Sequence, residues 1–399
     1  MPRRFETKQE MATTVSCETP YSAFRGTKFF GSLDGLRAIS IMGVVWVHAT
    51  LASPYYSKFS VTPIIGSGAF GVDIFFAISG FLITTLLLRE RDKLGKIPLR
   101  EFYLRRTLRI WPLYYATLAF YTAMALIFYR HSPRAPEFFH YFPGYLTFTY
   151  TWFVFRSASR PIFNFAWSLS VEEQFYTLWA PVLRFLDRLF PLLITVGLIA
   201  LRISASYGLL DKVFPTDSLF LRIATNISVS ICLGVLLAHA LNSKRGFETL
   251  YPLLGRKWSA PAALALMFGC LVAGSSFWLA QSATLFALIG SCVIRETNGL
   301  AVALKLRPLA HIGRVSYGVY MLNTLVVDAV HPVLGRIGIE HPAITFPFLL
   351  GISVIVASLS YRYFESPFLA LKTRFNRQAA TRRNNLPSIP TEAALSLSR

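Results

Sequence analysis

This sequence has little charge. Acidic and basic residues together make up only 15% of the 399, and the acidic ones are the scarcer, 20 Asp and Glu against 40 Lys and Arg. Cysteine is nearly absent. Cys17, Cys232, Cys270 and Cys292 show no C-x-x-C spacing, so neither a disulfide framework nor a zinc site is suggested, and no other metal site is expected. There is no Walker or dinucleotide-binding glycine loop and no repeat of fixed period. Residues 1–30 lack the apolar core of a secretory signal, so no cleavage is expected and the N-terminus is placed inside.

What fills the space is hydrophobic: 54% of residues, with a mean hydropathy of +0.47. A membrane span needs about 20 mostly apolar residues. About ten such segments can be placed, at 33–52, 68–88, 110–129, 167–186, 190–206, 219–241, 259–278, 282–294, 309–330 and 343–364. Lipid leaves backbone polar groups no outside partner, so each segment is expected to be helical. The expected fold is all-α, a polytopic membrane bundle of about ten helices. Segment 145–155, YLTFTYTWFVF, is too short to cross and reads as re-entrant.

Ten spans with the N-terminus inside put segments 1–32, 89–109, 184–190, 242–258, 295–314 and the C-terminal tail on the cytoplasmic side. These hold most of the 40 Lys and Arg, the asymmetry such a topology requires. The net charge of +20 therefore reads as attraction to an anionic inner leaflet. No interleaved aromatic and basic patch points to nucleic acid. The chain divides into three regions: a cytoplasmic segment at 1–30, a membrane domain at 31–370, and a basic cytoplasmic tail at 371–399, whose composition predicts disorder.

The first span, GSLDGLRAISIMGVVWVHAT, carries Asp34, Arg37 and His48. An ionisable side chain at the centre of a span costs about 2.5–3.5 kcal/mol on insertion scales. A helix turns about 100° per residue, so the eleven steps from Arg37 to His48 return to within about 20° of one face, about 16 Å along. Asp34 and Arg37 are i, i+3 neighbours. All three lie on one stripe, expected to face the bundle interior, and intramembrane ionisable groups are functional candidates by default. Asp34 and Arg37 also fit a simple interfacial ion pair.

Asp73 stands near the start of the second span, where it could meet His48 and set its tautomer, or simply cap its own helix. The stretch EFYLRRTLRIWPLYYA brings Arg105, Arg106 and Arg109 to the inner surface. Bunched guanidinium groups suit the phosphates of an anionic cofactor and equally suit lipid headgroups. In NFAWSLSVEEQFYTLWAP, Glu172 and Glu173 stand a few residues inside a span. Adjacent residues cannot share a helix face, so one carboxylate is expected in a cavity, to bind a hydroxylated acceptor or relay a proton.

Taken together these stretches resemble the acyltransferase-3 family of integral-membrane acyltransferases. SLDGLRAISIMGVVWVHA, with its Arg-x10-His pair, GVDIFFAISGFLIT, FYLRRTLRIWPLYY, WSLSVEEQFYTLWAP, IGRVSYGVYMLN and RYFESPF stand in the family's order, over roughly residues 31–370. One departure is Asn323, where the family usually has His. An asparagine there can hydrogen-bond but cannot transfer a proton.

The resemblance implies O-acylation, commonly acetylation, of a glycan or other hydroxylated acceptor from cytoplasmic acyl-CoA. Acyl-CoA, with acetyl-CoA expected, is a donor substrate and no bound cofactor is implied. Arg37, Arg105, Arg106 and Arg109 would hold the donor, whose pantetheine arm threads along the Arg37–His48 stripe. His48 would be general base or acyl-carrying nucleophile, Asp73 would orient it, and Glu172 or Glu173 would engage the acceptor. Asp34, Tyr176, Tyr320 and Asn323 would line the cavity or meet the acceptor. The expected partners are acyl-CoA, a saccharide or other hydroxylated acceptor, and membrane lipids. The expected place is a bacterial inner membrane with both termini cytoplasmic. Some family members carry an appended extracytoplasmic hydrolase-like domain, and none is expected here. The rival reading is a secondary transporter using buried Arg, His and Glu for ion coupling, but no internal symmetry supports it. A purely structural or sensory protein leaves His48 and the paired glutamates unexplained.

Overall fold

The computed structural model describes residues 19–52, 70–153, 161–215, 217–274 and 278–371, and among them every regular element is helical. In chain order these are α1 (Pro20–Gly26), α2 (Gly31–Ala52), α3 (Phe70–Leu94), α4 (Leu99–Ile127), α5 (Arg134–Leu146), α6 (Tyr150–Phe153), α7 (Ala166–Phe185) and α8 (Leu189–Ser206). They continue as α9 (Leu219–Asn226), α10 (Val229–Asn242), α11 (Lys244–Leu254), α12 (Ser259–Ala273), α13 (Trp278–Ile294), α14 (Ala301–Leu304), α15 (Arg307–Arg336) and α16 (Pro342–Ser360), the last running on into a π-helical turn, Tyr361–Glu365.

Helix boundaries arise from local chemistry. Thr19 caps α1, its hydroxyl accepting from Ser22 N at 3.3 Å, with Pro20 at the first helical position. Ser218 and Ser228 cap α9 and α10 in the same way, at 3.3 and 3.2 Å. A cap residue needs extended backbone, and Ser228 has ψ 111°. The chain therefore breaks there, and α9 and α10 meet at 55°.

Small residues set how the helices meet. Between α3 and α10 the contact is reciprocal: Gly80 lies against the Ile231 carbonyl, and Gly234 lies against the Ala77 carbonyl. Any Cβ at either glycine would overlap backbone, and such close approach is a main source of helix association where lipid competes with side chains for apolar contact. Gly313 likewise seats α15 on the Asp34 carbonyl of α2. Helix α3 runs antiparallel to α2: Gly71 abuts Ser40, whose hydroxyl donates to the Gly71 carbonyl, and Phe81 meets Phe30 at 5.6 Å. The larger core joins α2, α3, α4, α7, α15 and α16, and is rich in buried rings such as Tyr114, Tyr121, Tyr145 and Phe163. A second core sits among α1, α3, α10, α11, α12 and α13.

The expected all-helical membrane bundle is what forms, but the count of ten spans is not confirmed. Among the described residues, five helices are long and apolar enough to cross a membrane: α2, α3, α4, α8, and α16 continued to Leu371. The bent pair α9–α10 makes a sixth if it is one span. The shortfall has two causes. Helices α12 and α13 have only 15 and 17 residues. Helices α7 and α15 are long enough at 20 and 30 residues but carry polar groups, among them Glu172 and Glu173 on α7 and Asn323 on α15. Segment 145–155 contributes the end of α5 and the short α6, joined through Phe148 at φ 55°; residues 154 and 155, like 68 and 69 of the second predicted span, lie outside the described residues. So do residues 1–18 of the N-terminal segment and 372–399 of the tail. Part of the N-terminal segment belongs to the bundle: α1 packs Phe24 against Phe247 at 5.5 Å, and Arg89 donates to the carbonyls of Phe24 and Thr27 at 2.9 and 2.6 Å.

Candidate active site

Helices α2, α3, α4, α7 and α15 enclose a cavity of about 310 Å³ with the linker 28–30 at one end. Five basic side chains line it, Lys28, Arg37, Arg89, Arg106 and Arg109, against two carboxylates, Asp34 and Glu172. A space this rich in cations inside an apolar bundle attracts an anion.

Each wall places its residues by helix geometry. On α2, Arg37 pairs with Asp34 Oδ1 at 2.8 Å, the i, i+3 contact expected from the stripe, and both line the cavity. The ion pair and the cavity wall are thus the same feature. On α4, Arg106 and Arg109 stand almost one turn apart and both reach the cavity, Arg106 lying over the Tyr176 ring at 5.1 Å. Among the described residues Arg109 makes no hydrogen bond or ion pair. Arg105 points about 100° away and ion-pairs with Glu90 at 3.0 Å, outside the lining. The three arginines do not act as one cluster.

The adjacent glutamates of α7 also part. Glu172 lines the cavity, where Ser79 of α3 donates to its Oε1 at 2.7 Å and lies 3.1 Å from the Tyr176 hydroxyl. Glu173 turns to α4, accepting from Trp111 Nε1 at 3.2 Å, and its buried Oε1 has no hydrogen-bond partner among the described residues. It does not line the cavity.

Ser168 of α7 and Tyr320 of α15 also line the cavity. They are hydrogen-bonded to each other, and the Tyr320 hydroxyl donates to the Phe165 carbonyl at 2.9 Å. One turn further along α15, Asn323 is fully buried and hydrogen-bonded through Oδ1 to His48 Nδ1. His48 and Asn323 lie just beyond the cavity rather than in its lining.

The expected meeting of Asp73 with His48 does not occur. Asp73 Oδ1 accepts from Ser230 of α10 at 2.6 Å. The cause is register. Because Gly71 sits against Ser40 and the helices run antiparallel, α3 starts beside the middle of α2. His48 lies eight residues, about 12 Å, further along α2.

Sequence reasoning does not single out Ser79, Lys28 or Ser168. Ser79 is a single hydroxyl in an apolar run and Ser168 is one of two serines in WSLSVEEQ, and their one signal is that each falls inside a family-like motif. Lys28 precedes the first span and reads there as an ordinary flanking charge.

The acyltransferase domain family matches residues 30–362. Among curated proteins, the chain is 29% identical over 374 residues to the peptidoglycan O-acetyltransferase OatA of Listeria monocytogenes, covering 85% of this chain and 56% of that protein. It is 27% identical over 364 residues to the O-acetyltransferase OatA of Staphylococcus aureus, covering 85% and 57%. The chain thus spans little more than half the length of either relative. No solved structure matches it. With a family match over most of its length and a multi-pass helical bundle built around these motifs, the chain belongs to the acyltransferase-3 family of membrane acyltransferases.

Proposed function

We propose that the protein moves an acyl group, in the first instance acetyl, from cytoplasmic acyl-CoA to a hydroxyl of an extracytoplasmic or lipid-linked glycan, and that it does so in a bacterial inner membrane with both termini cytoplasmic. The observation that carries the reading is the cavity in which Lys28, Arg37, Arg106 and Arg109 converge from separate parts of the chain. The phosphates of coenzyme A are a fitting anion for it, and bidentate guanidinium contacts are the strong way to hold phosphate. The slender pantetheine arm then runs along the Arg37 face of α2 toward His48, about 16 Å away.

In this reading Glu172 shares the chamber with the arginines and so meets the donor's amide-bearing arm rather than the acceptor. His48 acts where the thioester ends. Its neutral ring takes the proton of the acceptor hydroxyl as that oxygen attacks the thioester carbonyl. The new O–C bond forms, the C–S bond breaks, and the leaving thiolate recovers the proton from the imidazolium. The name of the Listeria relative makes peptidoglycan the first acceptor to try.

The test is direct. Purified protein in lipid nanodiscs is given acetyl-CoA and a soluble peptidoglycan fragment. Release of free thiol, together with a glycan mass gain equal to one acetyl group, is the expected result. No thiol release from folded protein with any glycan acceptor overturns the reading.

A further inference from the structure

We infer that Asn323 is a positioning residue that holds His48 in the tautomer protonated on Nδ1, leaving the lone pair of the neutral ring on Nε2. This rests on the proposal that His48 is the base, but the tautomer itself can be observed independently.

The orientation of the amide is determined by its other bonds. Asn323 Nδ2 donates to the Tyr320 carbonyl at 2.6 Å and to the Val319 carbonyl at 3.0 Å. A carbonyl only accepts, so the atom facing both must be the NH2 group. That leaves Oδ1 toward His48 Nδ1. An amide oxygen also only accepts, so the ring nitrogen opposite must carry hydrogen. Both NH2 protons are used inside the same helix, which leaves the group no reason to flip. With Asn323 fully buried, water does not compete for the contact.

An amide in this position differs from a carboxylate in one respect. Both fix the tautomer, but only a carboxylate adds a charge that stabilises the imidazolium. The one carboxylate the sequence offered for that task, Asp73, is bonded to Ser230 instead. Inside an apolar bundle an added ion pair carries a desolvation penalty. A neutral partner lets the ring stay neutral and ready to accept a proton. During transfer Nε2 takes the acceptor's proton and returns it to the departing thiolate, while Nδ1 keeps its own hydrogen on Asn323 throughout.

The test uses the full chain in lipid with 15N-labelled histidine, the His48 signals being assigned by their loss in His48→Gln. In the neutral ring, Nδ1 is expected to show the shift of a protonated nitrogen and Nε2 that of a bare one. Asn323→Leu, similar in volume but without an acceptor, is expected to lose this preference. Its kcat should fall by up to the about 10²–10⁴-fold that a general base contributes, with the donor KM unchanged. Asn323→Asp still accepts from Nδ1 but adds a charge and loses both donors to the Val319 and Tyr320 carbonyls, so it should keep the Nδ1-protonated ring while favouring the imidazolium, with a rate below wild type. A wild-type ring protonated on Nε2 overturns the inference, as does an unchanged tautomer in Asn323→Leu. Should His48→Ala keep normal turnover, the general-base reading fails while the tautomer result still decides the role of Asn323.

Discussion

Ser79 of α3 and Glu172 of α7, 93 residues apart in the chain, are joined by a hydrogen bond of 2.7 Å in which the serine hydroxyl donates to the carboxylate. This bond ties two walls of the cavity together and holds Glu172, rather than Glu173, toward the cavity. Glu172→Gln should therefore cost about 10-fold or more in kcat/KM for the donor, the equivalent of one hydrogen bond to a charged group. Glu173→Gln keeps an oxygen for Trp111 and should stay near the wild-type rate. The comparison is made by kcat/KM for acetyl-CoA from thiol release, and a reversed order would move the functional carboxylate to the α4 side.

The arginines of α4 should separate in the same way. Arg106→Ala or Arg109→Ala removes a cation from the cavity and should raise the donor KM by about 10-fold or more, the equivalent of one charge-assisted hydrogen bond, with kcat little changed. Arg105→Ala breaks only the Glu90 pair and should leave donor kinetics as they were. Steady-state titration of acetyl-CoA reads all three.

His48 and Asp73 should prove unequal. His48→Ala should abolish detectable acylation, a loss of about 10²–10⁴-fold, with membrane protein level unchanged. Asp73→Asn can still accept from the Ser230 hydroxyl, so its rate should remain close to wild type. A dead Asp73→Asn protein with a native melting profile would give Asp73 a part in the chemistry that its bond to Ser230 does not suggest.

Close packing of α3 and α10 makes a stability prediction. Gly80→Val places a branched side chain against the Ile231 carbonyl and should cost at least the about 1–3 kcal/mol of an overpacked core. Thermal unfolding in detergent should show a lower midpoint than wild type. Gly269→Val, where a Cβ meets nothing within 4 Å, is the control and should not shift it.

Sidedness is tested by fusion. With an even number of spans, six or ten, and the N-terminus inside, a reporter fused after position 375 and active only outside the cytoplasm should stay silent. An active reporter implies an odd count.

The sequence by itself determined whatever depends on one helix at a time. Lipid leaves the backbone no alternative to helix, so the class was readable from the apolar runs. The alignment of Asp34, Arg37 and His48 on one stripe was readable because it depends only on residues per turn. So were the pairing of Asp34 with Arg37, the shared face of Arg106 and Arg109, and the certainty that Glu172 and Glu173 diverge. Tertiary structure decided the partners: Asp73 to Ser230, Arg105 to Glu90, Ser79 to Glu172, and His48 to Asn323. It also showed that α12 and α13 are shorter than full spans and that α9 and α10 are separated by a bend. These outcomes depend on the register between helices, which is set where Gly71 meets Ser40, Gly80 meets Ile231 and Gly313 meets Asp34. A shift of one turn at any of these contacts leaves every helix intact and changes every partner, because each contact joins residues far apart in the chain and leaves no periodic trace in either segment.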